Sequence, residues 1–180
     1  MIDLNSINEW QHRCPDTGLV LPWYTKSFLD DLVTWDLKDK VVFEYGCGAS
    51  TLWWAAKCRA VYAIENNLEW ANTVRENLSN NATVAIHMGG DYSPDIISHF
   101  HSGFFDIIVV DNEPVELRDA CVIEAVRHLN RGGRLILDNW CQPSVWMPSQ
   151  ETQDLVLRMP HRAYKQEGHP DWKTLVVTKP

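Results

Sequence analysis

The residues of this chain that could do chemistry recur at one kind of place, directly after a short apolar run. The first run, Val41-Val42-Phe43, leads into Glu44-Tyr45-Gly46-Cys47-Gly48-Ala49-Ser50-Thr51. Gly46 and Gly48 carry no Cβ, so a loop built on them lets backbone come close to a ligand. A helix opening at Ser50 or Thr51 aims unpaired N–H groups at whatever sits there. Together they suit a nucleotide-like cofactor at the end of a parallel strand. A dinucleotide fingerprint needs a third glycine at position 51, where Thr51 stands. Glu44 would repel a pyrophosphate and suits an amino group or a sulfonium cation.

Later runs end the same way. Ala60–Glu65 closes on Glu65, a carboxylate placed to accept from two adjacent ribose hydroxyls, with Asn66 beside it. Gly89-Gly90-Asp91-Tyr92 follows a third run and is also ordinary turn chemistry. Val109-Val110-Asp111-Asn112-Glu113-Pro114 ends a fourth; Asp111 could orient a nucleophile, act as a base or bind a metal. The fifth gives Leu137-Asp138-Asn139-Trp140, where an Asp-Asn pair also makes turns and caps. Trp23, Tyr24, Lys26 and Trp140 are candidates for a substrate-side wall, with packing under an N-terminal helix as the competing reading. His99 and His101 would not share a helix face and are poor joint ligands. Cys47 beside a helix N-terminus is either a reactive thiol or a residue that contributes only backbone.

The elements that must position these residues alternate in kind. Strands are expected at Lys40–Gly46, Ala60–Glu65, Thr83–Met88, Phe105–Asp111 and Arg134–Asp138. Helices are expected at Thr25–Trp35, Thr51–Lys57, Leu68–Leu78, Asp95–His99 and Val115–Leu129, the last stopped by Arg131-Gly132-Gly133. That alternation is the pattern of βαβ units and a parallel sheet. The tail differs: Ala163–Gln166 and Trp172–Thr178 flank the turn-rich Glu167-Gly168-His169-Pro170-Asp171 and read as a hairpin.

Glu44-x-Gly46-x-Gly48 at the end of a first strand resembles the cofactor loop of class I S-adenosylmethionine-dependent methyltransferases. With Pro22-Trp23 upstream, the run from Val42 to Ala55 and the acidic end of the second strand, the chain is similar to a group of small, largely uncharacterised methyltransferases of bacterial and phage type. The resemblance runs from about Pro22 to the C-terminus. It implies an α/β, Rossmann-like fold: a doubly wound, mostly parallel seven-stranded sheet with a C-terminal antiparallel hairpin. It implies S-adenosylmethionine as cofactor, held by Glu44, Tyr45, Gly46, Cys47, Gly48, Ser50, Thr51, Glu65 and Asn66, with Asp91 accepting from the adenine amino group and Tyr92 covering the ring. Asp111 would face the methyl group and the acceptor. Asp111, Asp138 and Asn139 form the catalytic set it points to; they also resemble the metal triad of catechol-type O-methyltransferases, which would suit magnesium. The same Asp-Asn is common among the small methyltransferases, where no metal is implied, so magnesium stands as the alternative. Asn112-Glu113-Pro114 departs from the Asp-Pro-Pro-Tyr type used on nucleic-acid amino groups, and that substrate class does not carry over.

Length and charge narrow the reading. One hundred and eighty residues suit one domain: a cap segment over 1–36, a cofactor core over 37–140, and a substrate-side loop, helix and hairpin over 141–180. No apolar run approaches the ~18 residues of a membrane span, and the first residues do not resemble a signal peptide. Five cysteines without a C-x-x-C pair fit reduced thiols in a cytoplasm. A net charge of −8 without a Lys/Arg cluster disfavours a nucleic-acid partner. The expected activity is methyl transfer to an oxygen or nitrogen of a small molecule. A metal-dependent catechol-type enzyme and a non-catalytic cofactor-fold binding module stay open, with a nicotinamide oxidoreductase more distant. Acceptor recognition would come from the N-terminal segment, the loop after Asp111 and the loop Asn139–Met147, or from the second subunit of a homodimer.

Overall fold

A computed structural model describes residues 20–86 and 94–180. Seven strands form one sheet in the order β3-β2-β1-β4-β5-β7-β6. They are β1 Val41–Tyr45, β2 Ala60–Glu65, β3 Ala82–Ile86, β4 Phe105–Val110, β5 Leu129–Leu137, β6 His161–Gln166 and β7 His169–Thr178. The first five run parallel; β7 is antiparallel to β5, and β6 to β7. Strand order reverses between β1 and β4, the point where an open α/β sheet leaves a crevice beyond its strand ends.

Among the described residues five α-helices cover the two faces: α1 Lys26–Leu32, α2 Ala49–Lys57, α3 Leu68–Arg75, α4 Arg118–His128 and α5 Gln150–Leu157. Strand periodicity decides what each face receives. Phe43, Tyr45, Ile108, Val110, Leu135 and Leu137 point to the side of α4 and α5 and pack on Cys121, Val122 and Val156. Val42, Ile107, Val109, Ile136 and Val176 point to the other side, onto Phe28 and Leu32 of α1 and Trp53 and Trp54 of α2. Glu44, Asp111, Asp138 and Thr174 fall in the same alternation as this second set. One face of neighbouring strand ends thus collects three carboxylates under α1.

Two expectations are corrected. Arg131-Gly132-Gly133 does not stop a helix. α4 ends at His128, and Leu129 is already paired with Phe105 in β5. The next pair is Ile107 with Arg134, so residues 130–133 bulge out of the ladder. Gly132 turns there at φ 75°, with its N–H bonded to Lys179 O at 2.8 Å. The apolar pull on Leu129, only 2% exposed, overrides the glycine signal. The long helix expected from Val115 begins as a 3₁₀ turn, Val115–Leu117, and becomes α-helical at Arg118. β3 is seen from Ala82 to Ile86, and the rest of its expected span lies outside the described residues. Among the described residues no helix is long and apolar enough to cross a membrane.

Candidate active site

A cleft of about 400 Å³ opens over the ends of β1, β2 and β4. Its floor is the glycine loop. Gly46 sits at φ 92°, and a Cβ there would stand 2.8 Å from the backbone oxygen of Asp111. Only glycine lets the loop after β1 lie this close to the end of β4. Gly48 donates its N–H to Thr51 Oγ1 at 2.9 Å. Thr51 is fully buried, so the residue in place of a third glycine works as an internal cap for the start of α2. Ser50 lines the cleft at the same helix start.

Glu65 holds the neighbouring turn. Its Oε2 accepts from Cys47 N at 3.2 Å, and its Oε1 accepts from Asn66 N and Asn67 N at 2.9 Å each. Asn67 then caps α3 by accepting from Trp70 N at 3.1 Å. Trp70 reaches back and donates its indole N–H to Cys47 O at 2.7 Å. One carboxylate and one indole thus clamp the loops after β1 and β2 to each other. Cys47 contributes its backbone N–H and C=O to this clamp, and burial pushes its thiol well up.

Glu44 is 1% exposed and lines the cleft, yet its Oε2 has no hydrogen-bond partner among the described residues. Burial raises its carboxyl from 4.5 to about 7, against the hydrogen-bonding influence of Thr51, Ser50 and Trp54; the charge of Asp111 adds to the rise. Tyr24 stands over it. The Tyr24 hydroxyl accepts from Trp54 Nε1 at 3.3 Å, and its own ionisation is pushed up by burial and by Glu44. A buried carboxylate with one oxygen left unpaired costs free energy that its remaining hydrogen bonds only partly offset. A cationic ligand would remove that cost.

The β4 and β5 ends meet on Arg118, at the start of α4. Its guanidinium bonds Asp111 Oδ1 at 3.0 Å, Asn112 O at 2.9 Å, Asp138 O at 3.2 Å and Asn139 Oδ1 at 3.4 Å. The three residues expected to hold a metal or act together are thus organised around a buried cation already supplied by the chain. Among the described residues, no group of three or more His, Cys, Asp or Glu side chains is arranged to hold a metal ion. Asp111 remains on the cleft, its side chain 40% exposed. Asp138 does not line it: the carboxyl is buried and accepts from Thr174 Oγ1 at 2.8 Å. Burial first, then the charge of Asp111, raises Asp138 to about 8. Asn139 turns away at φ 53° and donates to Gln142 Oε1 at 3.0 Å.

Thr174 carries the mouth of the cleft. Its hydroxyl oxygen accepts from Thr25 N at 3.4 Å and from Thr25 Oγ1 at 3.3 Å. Lys26 N donates to Gln166 Oε1 at 2.8 Å, and Ser27 Oγ to Lys165 O at 2.9 Å. The hairpin β6–β7 thereby anchors the residues just after Trp23 and Tyr24, both of which line the cleft.

Of the expected site residues, Glu44, Gly46, Cys47, Gly48, Ser50, Glu65, Asn66 and Asp111 come together here. Tyr45 also lines the cleft, but its ring turns to the core, fully buried, with its hydroxyl donating to Pro94 O at 2.7 Å. Trp140 packs edge-on against Trp146 in the core, and Lys26 pairs with Asp30 on the surface, so neither forms a substrate wall. Asp91 and Tyr92 lie outside the described residues. Sequence reasoning missed Trp70, Asn67, Thr174 and Arg118. An arginine in the first turn of a helix opposes the helix dipole, a signal that Arg118 had a partner elsewhere.

No protein-family model and no curated protein matches the chain. Solved structures do. An O-methyltransferase from Bacillus cereus in complex with SAH is 19% identical, with 97% of this chain and 87% of that one covered at a TM-score of 0.63. The 16S rRNA N2 G1207 methyltransferase of T. thermophilus, in complex with AdoMet and guanosine, is 19% identical over 86% of this chain and 41% of that one, at 0.62. A precorrin 8w decarboxylase from Methanobacterium thermoautotrophicum is 22% identical over 93% and 96%, at 0.57. These neighbours act on different molecules, and at such identities what they share with this chain is architecture. The chain has the fold of the class I S-adenosylmethionine-dependent methyltransferases.

Proposed function

We propose that this protein binds S-adenosylmethionine in the cleft over β1, β2 and β4 and transfers its methyl group to an oxygen or nitrogen of a small molecule. The observation that carries the reading is Glu44 Oε2, a buried carboxylate oxygen without a partner among the described residues, beside a loop kept open by Gly46. A positively charged ligand matches that oxygen, and the close approach at Gly46 matches a ligand gripped by backbone. Bound there, S-adenosylmethionine supplies a methyl group already activated on a sulfonium.

The chain's own residues then bind and orient. Glu44 faces the cationic part of the cofactor. Glu65, held by three backbone N–H groups, keeps unfilled acceptor capacity for ribose hydroxyls. Asp111, fixed by Arg118, stands at the acceptor side with Trp23 and Tyr24. These groups supply positioning and exclusion of water. The catechol-type, magnesium-dependent alternative is disfavoured, because Asp138 is buried off the cleft on Thr174 and Asn139 turns away to Gln142, so neither joins Asp111 as a ligand.

Calorimetry with S-adenosylhomocysteine tests the reading. Micromolar binding, unchanged by magnesium or a chelator, is expected. Absence of binding to the native chain would leave a scaffold or binding module as the better account.

A further inference from the structure

The charge on the cleft selects what can be methylated. Among the described residues four acidic side chains line it, Glu44, Glu65, Asp111 and Glu113, and no lysine or arginine does. The nearby guanidinium of Arg118 is 2% exposed and already committed to Asp111 and three neighbouring oxygens. The lining therefore stays strongly negative even after a cofactor bearing one net positive charge has bound. A cleft of about 400 Å³ is in the size range of a single drug-sized ligand, so the cofactor takes most of it and the acceptor must sit at the rim. The rim is built from Trp23, 52% exposed, the buried Tyr24, and the exposed carboxylates of Asp111 and Glu113.

We propose that the acceptor is a small amine on an aromatic or apolar body, recognised as its ammonium by Asp111 and Glu113 and by the rings of Trp23 and Tyr24. This rests on the cofactor reading above. Carboxylates attract the ammonium, and an aromatic face adds cation–π attraction. Both are needed, because an acceptor cation beside a sulfonium is repelled unless negative charge lies between or around them. Anionic acceptors meet the opposite field: apart from the sulfonium itself, a carboxylate or phosphate would find four acidic side chains and, among the described residues, no lysine or arginine on the lining. For transfer, the ammonium gives one proton to the exposed Glu113 carboxylate and thence to water. The freed nitrogen lone pair forms the N–CH₃ bond as the S–CH₃ bond breaks. The bonding pair stays on sulfur, leaving a thioether and a methylated ammonium.

The test uses the full chain saturated with S-adenosylhomocysteine, whose own binding is measured first. Tryptamine and indole-3-propionate share a ring and differ in the sign of their charge. Each is titrated calorimetrically into the loaded protein, wild type and Glu113→Lys. Glu113 is exposed, so its replacement leaves folding intact, and the melting temperature checks this. Tryptamine is expected to bind at least tenfold tighter than indole-3-propionate. Glu113→Lys should shrink that ratio at least tenfold while S-adenosylhomocysteine affinity stays within about twofold. Equal binding of the two probes, tighter binding of the carboxylate, or binding of neither to a loaded protein would overturn the amine assignment and leave the cofactor reading standing. Failure of S-adenosylhomocysteine itself to bind would overturn both.

Discussion

The two sides of the cleft are built by different means. On the proposed cofactor side, the hydrogen bonds that hold the glycine loop fall within residues 44–70: Gly48 to Thr51, Glu65 to Cys47, Asn66 and Asn67, Trp70 to Cys47. On the acceptor side, Asp111, Arg118, Asp138, Thr174 and Thr25 form one chain of contacts drawn from both ends of the sequence. The first side is a local motif that any similar stretch would reproduce. The second depends on the hairpin β6–β7, the start of α4 and the segment before α1 all being in place. The proposed cofactor side is therefore held mainly by local bonds and touches the other side where Gly46 packs on Asp111, whereas the proposed acceptor side is coupled to the whole sheet.

Arg118→Met is the strongest way to break the second side. It leaves Asp111 and the backbone oxygens of Asn112 and Asp138 without their cation, in a region where Arg118 is 2% exposed. Asp111 is 40% exposed and rehydrates, but each of the two buried backbone oxygens left unpaired costs about 1–3 kcal/mol. Urea denaturation should show that loss, and a cost under about 1 kcal/mol would mean the network is not a stabilising unit. Gly46→Ala breaks the first side. It combines a left-handed backbone with a Cβ 2.8 Å from Asp111 O, which together cost on the order of 3 kcal/mol. Because the clash falls where the two sides touch, both binding of S-adenosylhomocysteine and melting temperature should drop.

The buried acids sharpen the comparison through pH. Glu44 moves from 4.5 when unfolded to about 7 when folded, and Asp138 from 3.8 to about 8. Both are raised, so the folded chain holds protons that the unfolded chain has released between about pH 4 and pH 8. Unliganded stability is thus full below about pH 4 on this account and falls as pH rises across that window. The Glu44 share is about 3 kcal/mol. Glu44→Gln should flatten part of that slope in denaturation curves at pH 5 and pH 8. It should also weaken cofactor binding, since the charge that destabilises the empty cleft is the one that faces the ligand. A slope unchanged by Glu44→Gln would show that Glu44 is already ionised in the empty protein.

The same contrast explains what was legible beforehand. The glycine loop, Glu65 and the strand ends were readable because they rest on local rules: apolar runs of strand length, glycines at a turn, an acid at the last position. The hairpin was readable from two β-prone runs around a turn. Arg118 was not, because its partners are spread from Asp111 to Asn139 and no local pattern joins them. Trp140 and Tyr45 were placed on the site by adjacency alone. Strand alternation sends Tyr45 to the opposite face of the sheet from Glu44, and the core takes its ring. Trp140 follows a left-handed Asn139 that redirects the chain toward Trp146.

Glu65→Gln gives the smallest effect and the sharpest separation of holding a loop from holding a ligand. Gln keeps one carbonyl oxygen for the N–H groups of Asn66 and Asn67 and presents an amide NH₂ toward Cys47 N, where it cannot accept. Loss of a hydrogen bond to a charged group costs about 1.5–3 kcal/mol, so S-adenosylhomocysteine should bind roughly 10- to 100-fold more weakly. Part of that loss belongs to the loop and part to the ribose. Repeating the titration with an analogue lacking both ribose hydroxyls closes a double-mutant cycle. If Glu65 binds the ribose, the substitution should cost the analogue much less than it costs S-adenosylhomocysteine. An equal cost for both ligands would assign Glu65 to the loop alone, and the cofactor side would then be a scaffold whose grip on the ribose comes from elsewhere.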